Sequence, residues 1–387
     1  TLSSSSAASD VYKRQGLQIY VKKGKQKHIV CKNQEDERMK KRLMAAVLST
    51  AMAATMLLTG SISVQAADAA AANDPAVELI FTSVSVSGDS HTEAMYEFAD
   101  KVEELSGGSV TCKCYDNGSL FSSENEFDAL LNGDADLAYI SFPTIATQIP
   151  SYSMFASGYL FSSYEHMTSV LNGDIGLNKI RPQIEETLNI KPLSSFYLGS
   201  RVINTREKEI NSYDDMNGLL LRMPNSEAWL FLGEALGANP TPLSFSELYT
   251  ALQTGAVDAQ DNPLPSIESA KFYEVTKYIA ITNHVVDSIM PCINGDTWNS
   301  MTEAQQEAVT EAMEYARDVN DTARLDREAE LIKFFEEQGL TVTYPDINEF
   351  KEKVQAKYME NEDMIKDWDM DLYNEIQAMA DTTTAEE

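Results

Sequence analysis

Gly218-Leu219-Leu220-Leu221-Arg222-Met223-Pro224 is the stretch on which this chain turns, because a single arginine stands inside an apolar run. Three leucines and a methionine predict a buried strand. A guanidinium keeps its charge and is seldom fully buried without a partner. Arg222 must therefore meet an anion. An internal carboxylate is one choice in a chain with 60 Asp and Glu residues. A ligand carboxylate is the other, since the planar fork of arginine matches a carboxylate with two parallel hydrogen bonds.

The chain continues Leu236-Gly237-Ala238-Asn239-Pro240-Thr241-Pro242-Leu243-Ser244-Phe245-Ser246-Glu247-Leu248-Tyr249-Thr250-Ala251-Leu252-Gln253-Thr254-Gly255-Ala256-Val257-Asp258-Ala259-Gln260-Asp261-Asn262-Pro263-Leu264. With the arginine strand before it, this resembles the signature of substrate-binding subunits of tripartite ATP-independent periplasmic (TRAP) transporters, DctP type. That signature reads roughly GLKIR-x-P, then LGA-x-PTPL-x-FSE-x-Y-x-ALQTG-x-VDGQ-E-NP. Ala259 replaces the usual Gly and Asp261 the usual Glu. Weaker similarity extends over residues 78–345.

The resemblance implies an α/β, two-lobed fold of the periplasmic-binding-protein kind, with a cleft between the lobes and a long helix spanning both. It also implies chain crossings near residues 198, 286 and 326. Residues 75–198 plus 287–326 would then form the N-terminal lobe, and 199–286 plus 327–387 the C-terminal lobe.

The beginning of the chain reads differently. Met39-Lys40-Lys41-Arg42 is a positive segment, Leu43 to Leu58 is apolar, and Val64-Gln65-Ala66 offers a small-residue cleavage site. Residues 39–66 thus read as a secretory signal peptide, too short for a membrane span. No cysteine follows it to carry a lipid. Residues 1–38 precede a plausible start methionine and read as a non-native upstream segment.

Residues 1–66 hold 11 of the 30 basic and 4 of the 60 acidic residues. The remaining 321 carry 19 basic against 56 acidic, a net charge of −37. So acidic a surface argues against nucleic acid or an anionic membrane as partner. An anionic ligand would need a local arginine cluster.

Periodicity outlines the rest. Val77 to Val86 alternates like a strand, and His91 to Leu105 has helical spacing. Val110 to Tyr115 is a second strand, Asn125 to Leu131 a helix stopped by Gly133, and Ala135 to Ile140 a third strand. Strands alternating with helices predict a largely parallel sheet. Leu131-Asn132-Gly133-Asp134-Ala135-Asp136 resembles Leu252-Gln253-Thr254-Gly255-Ala256-Val257-Asp258: a helix end, a Gly suited to the left-handed position, then a strand. In open α/β sheets ligands collect beyond the carboxyl ends of strands, here Ile140-Ser141 and Gln260-Asp261-Asn262. A long helical pattern runs from Thr302 to about Lys333. Cys112 and Cys114 share a strand face; they serve as small apolar residues, or one pairs with Cys292.

Candidate ligand-binding residues follow from the resemblance. Arg222 would grip the ligand carboxylate. Arg201 would support it, Asn262 would hydrogen-bond it and Phe245 would pack on the ligand. Taken alone, Arg201 is also a surface or salt-bridged arginine, Asn262-Pro263 is also turn chemistry, and Phe245 also fits a core. In the N-terminal lobe, Ser87 in the first cleft loop, Ser123, Glu124 and Ser141 would read the far end of the ligand.

Enzyme readings find little footing. The sequence has no Gly-x-Ser-x-Gly elbow, no phosphate-cradling loop and no His-Glu-x-x-His. His91, His166 and His284 lack metal-ligand spacing and are expected to be structural. Asp367-Trp368-Asp369-Met370-Asp371 has Leu372 where a calcium loop requires Gly. Neither a catalytic residue, a cofactor nor a metal is expected.

The reading is an extracytoplasmic receptor for a small organic carboxylate, a C4-dicarboxylate, sugar acid or similar. It would deliver the acid to TRAP membrane subunits for ion-gradient-driven uptake, and would be a monomer. A ligand-sensing module of a signalling system on the same fold is the alternative. An extracellular lyase or isomerase of sugar acids is a third, lacking an acid/base pair.

Overall fold

The computed structural model describes residues 74–383. The expected upstream segment and signal peptide lie outside the described residues. Ten strands form one sheet: β1 Val77–Thr82, β2 Val110–Tyr115, β3 Leu137–Ile140, β4 Ile190–Pro192, β5 Phe196–Thr205, β6 Leu220–Met223, β7 Asn239–Pro242, β8 Ala259–Pro263, β9 Tyr278–Asn294 and β10 Thr341–Thr343. The order is β2-β1-β3-β9-β5-β8-β6-β7, with β4 and β10 also paired to β9.

The sheet is mixed rather than largely parallel. The βαβ units give parallel pairs, β1 with β2 and β3, and β6 with β7 and β8. Between these two sets run the long strands β5 and β9, antiparallel to one another. β9 pairs antiparallel with β3 near its end (Ile140 opposite Met290) and parallel with β10 near its start (Thr341 opposite Tyr278). Two strands shared by both halves of the sheet therefore reverse its direction in the middle.

Local signals explain most element ends. The helix Ser90–Leu105 is capped by the Asp89 side chain, which accepts from the His91 N–H. Helices Glu126–Asn132 and Phe245–Thr254 stop at Gly133 (φ 75°) and Gly255 (φ 80°), the left-handed conformation glycine takes without a Cβ clash. β1 ends at Thr82, short of Val86; the next residues form a loop instead.

The 35-residue helix Glu303–Glu337 begins with a reciprocal cap between Thr302 and Gln305. Its Val309, Ala312, Met313 and Ala316 join Leu79, Phe81 and Phe98 in one apolar cluster. About four turns later, Leu331 and Phe335 join Val202, Leu248 and Phe272 in another. One helix is thus part of two cores. Phe335→Ala would cost about 3–5 kcal/mol through the cavity it leaves. Cys112, Cys114 and Cys292 are free thiols, so no disulfide joins them. Among the described residues no helix is long and apolar enough to cross a membrane.

Candidate functional site

The ends of β3 and β8 open onto one cavity of about 360 Å³, within the usual size for a small-molecule site. Ser141 follows β3, and Asn262 stands near the end of β8; both line the cavity. Arg222, Arg201 and Phe245 line it too, as do Ser123 and Glu124.

Arg222 projects from β6 and is 3% exposed. Its Nε donates to the Leu243 carbonyl at 2.8 Å. Directly opposite it on the neighbouring strands stand Thr241 and Gln260, both neutral. Among the described residues, no Asp or Glu oxygen comes within ion-pair distance of it. Burial consequently pulls its pKa down to about 10; Asp261 and Glu124 work against this, Arg201 with it.

Arg201, on β5, is 5% exposed but in the opposite situation. Its Nε donates to Asp287 Oδ2 at 2.7 Å, and its Nη1 to Asp261 Oδ2 at 3.0 Å. Register explains this. Arg201 faces Pro263 on β8 and Val285 on β9, and each acid lies two residues from the facing position. Side chains two apart share a face, so all three meet. The Arg201 guanidinium also lies over the Trp229 ring at 4.3 Å. Burial alone would lower its pKa, but Asp261 and Asp287 raise it. Burial pushes Asp261 up, yet Arg201 and His284 hold it below its usual range. The internal-carboxylate alternative weighed for Arg222 is realised at Arg201 instead.

Asn262 is not in a turn. β8 runs through it, opposite Val202, and its carboxamide donates to Gln260, which donates in turn to Asn204. Phe245 touches Phe272 edge-on, ring centroids 5.6 Å apart, so it serves the core and the cavity wall together. Ser87 is not brought to the cavity. Its hydroxyl donates to Asp116 at 2.6 Å and accepts from Asn117, which turns it outward. Val84, Ser85 and Asp89 of the same loop line the wall instead.

Several residues of the site are less legible in the sequence. Asp287 does carry the same signal as Arg222, a charge within an apolar strand run, and is legible on that ground. Trp229, beneath Arg201, has no sequence signal. His91 is structural in its bonding, its Nδ1 lying 2.8 Å from Arg324 Nη2 and 2.8 Å from Asp89 Oδ1, yet it lines the cavity. Among the described residues, no cluster of three or more His, Cys, Asp or Glu side chains is arranged to hold a metal.

The family of bacterial extracellular solute-binding proteins, family 7 (DctP), matches residues 81–363. The chain belongs to this family. As a TRAP solute-binding protein it is 34% identical over 262 residues to the sialic acid-binding periplasmic protein SiaP of Vibrio cholerae, covering 68% of this chain and 81% of the relative. Its fold is similar to a TRAP periplasmic solute-binding protein from Roseobacter denitrificans with bound 3-deoxy-D-manno-oct-2-ulosonic acid. The TM-score is 0.74 at 38% identity, over 78% of this chain and 99% of the other. A second from that organism, with bound L-galactonate, gives 0.70 at 29% identity, over 74% and 95%. These TRAP solute-binding proteins are two-lobed, and the present one shares that architecture.

Proposed function

We propose that this protein captures a small organic acid of the sugar-acid type outside the cytoplasmic membrane and hands it, unchanged, to the membrane subunits of a TRAP transporter. One observation carries the reading: Arg222 is a buried cation at a cavity wall with no anion of its own among the described residues. A ligand carboxylate supplies that anion in bidentate form. Asn262 adds a neutral hydrogen bond. Arg201, already neutralised by Asp261 and Asp287, shapes the wall beside it.

The remaining wall selects among acids. Glu124 and Asp128 line the cavity. A second carboxylate near them would meet like charge. Hydroxyl groups would meet acceptors. This favours a polyhydroxy monocarboxylate over a C4-dicarboxylate, in keeping with the sugar acids bound to the two Roseobacter relatives. The working form is proposed to be a monomer released from its signal peptide near Ala67; amino-terminal sequencing and light scattering of secreted protein test both points.

The deciding experiment is a thermal-shift screen of sugar acids, C4-dicarboxylates, sialic acid and keto acids, with product analysis of the bound acid. A ligand at 100 times its Kd stabilises by about 2.7 kcal/mol. Sugar acids should raise the melting temperature and be recovered intact. No shift with any acid, or turnover of the acid, would overturn the proposal.

A further inference from the structure

We infer that Glu126 determines specificity in this cavity, its unpartnered carboxyl group taking a hydroxyl of the bound acid. The inference rests on the sugar-acid reading above and deepens it. Glu126 opens the helix Glu126–Asn132, lines the cavity, and is only 5% exposed. Its Oε1 is buried with no hydrogen-bond partner among the described residues. An unmet buried acceptor is costly, so such a group at a cavity wall is one the ligand completes.

The Thr82 hydroxyl at the end of β1 faces this carboxyl and is likewise buried without a partner. The two groups meeting one another would not exhaust Glu126. A protonated carboxyl has one donor and several acceptor sites, so capacity remains after Thr82 is served. Protonation follows from position. No Lys, Arg or His lies within ion-pair distance among the described residues, and burial pushes the Glu126 pKa well above the carboxylate range, against a smaller lowering by the Thr82 hydroxyl. A neutral carboxyl both donates and accepts, as does a hydroxyl, and neither repels the other. A ligand ammonium would require Glu126 to ionise in this setting, which burial opposes.

Galactonate and its singly deoxygenated analogues are the probes, titrated calorimetrically against wild type, E126Q, E126A and E126M. E126Q keeps a donor and an acceptor in the same shape, and should bind galactonate within threefold of wild type. E126A should bind roughly tenfold more weakly, the scale of one neutral hydrogen bond. One deoxy analogue should lose that same factor on wild type and nothing further on E126A. E126M fills the space with apolar atoms and should reproduce E126A, so the result survives if E126A does not fold. Losses that multiply for every analogue, or E126A and E126M both within threefold of wild type, would overturn the inference alone. Wild type that binds no polyhydroxy acid would overturn the functional reading and this inference with it.

Discussion

Arg324, fully buried on the long helix, pairs with Asp89 across 235 residues of chain. The same guanidinium donates to the Leu198 carbonyl at 2.8 Å, and Asp89 accepts from Ser269 at 2.8 Å. One ion pair thus ties the long helix to the loop before Ser90, to β5 and to the helix Leu264–Ser269, beside the ligand cavity.

Breaking that pair by removing one partner should cost about 3–5 kcal/mol, because it strands a buried charge. Arg324→Met and Asp89→Asn should each lower the urea midpoint. The double variant should lose less than the sum, since nothing is then left unpaired. Additive losses would show that the two groups do not interact.

Acid should act through Asp89. Burial pushes its carboxyl up, but Arg324 and His91 overcome this and hold it well below the usual range. A depressed folded-state pKa stabilises above the unfolded value of about 3.9 and loses that contribution as pH falls further. Stability measured by urea unfolding should therefore drop from about pH 4 downward. In Asp89→Asn that part of the drop should be absent. An unchanged acid limb would assign the loss to other carboxyls.

Arg222 should dominate binding. Losing one partner of a desolvated charge pair costs about 2–5 kcal/mol, or roughly 30-fold to over 1,000-fold in Kd. Arg222→Ala should show that loss by calorimetry with the best acid from the screen. Arg222→Lys should also bind worse, since a point charge cannot reproduce the fork. Binding within threefold of wild type by Arg222→Ala would remove the basis of the functional proposal.

The two arginines should separate in stability. Arg201→Met strands Asp261 and Asp287, and should cost about 3–5 kcal/mol without ligand. Arg222→Met removes a buried cation that has no internal anion, so the ligand-free protein should be as stable as wild type or more so. Equal destabilisation by both would mean that Arg222 has an internal partner after all.

Ligand should also close the lobes, because an acid touching both walls favours the closed state through contacts the open state lacks. Scattering should show a smaller radius of gyration at saturation. No change would count against a hinge.

Much of the fold was legible because its signals are local. The strand around Arg222, the helix stops at Gly133 and Gly255 and the start of the long helix all depend on neighbours a few residues away. The mixed sheet was not legible. Its direction in the middle depends on β5 and β9 pairing across about 80 residues, which alternation cannot reveal. Ser87 failed to reach the cavity for a similar reason: its hydroxyl is engaged by Asp116, brought near by β2.

By itself, then, the sequence determined that Arg222 stands in a strand and needs an anion, because an always-charged group in an apolar run admits nothing else, while Arg201 was marked only by the family resemblance. Only the tertiary structure decided which arginine is already served. The antiparallel register of β5 with β8 and β9 sets Asp261 and Asp287 on the face of Arg201, whereas the parallel register of β6 sets Thr241 and Gln260 beside Arg222. Side chains opposite one another across a sheet are fixed by strand pairing, and no spacing along the chain encodes them.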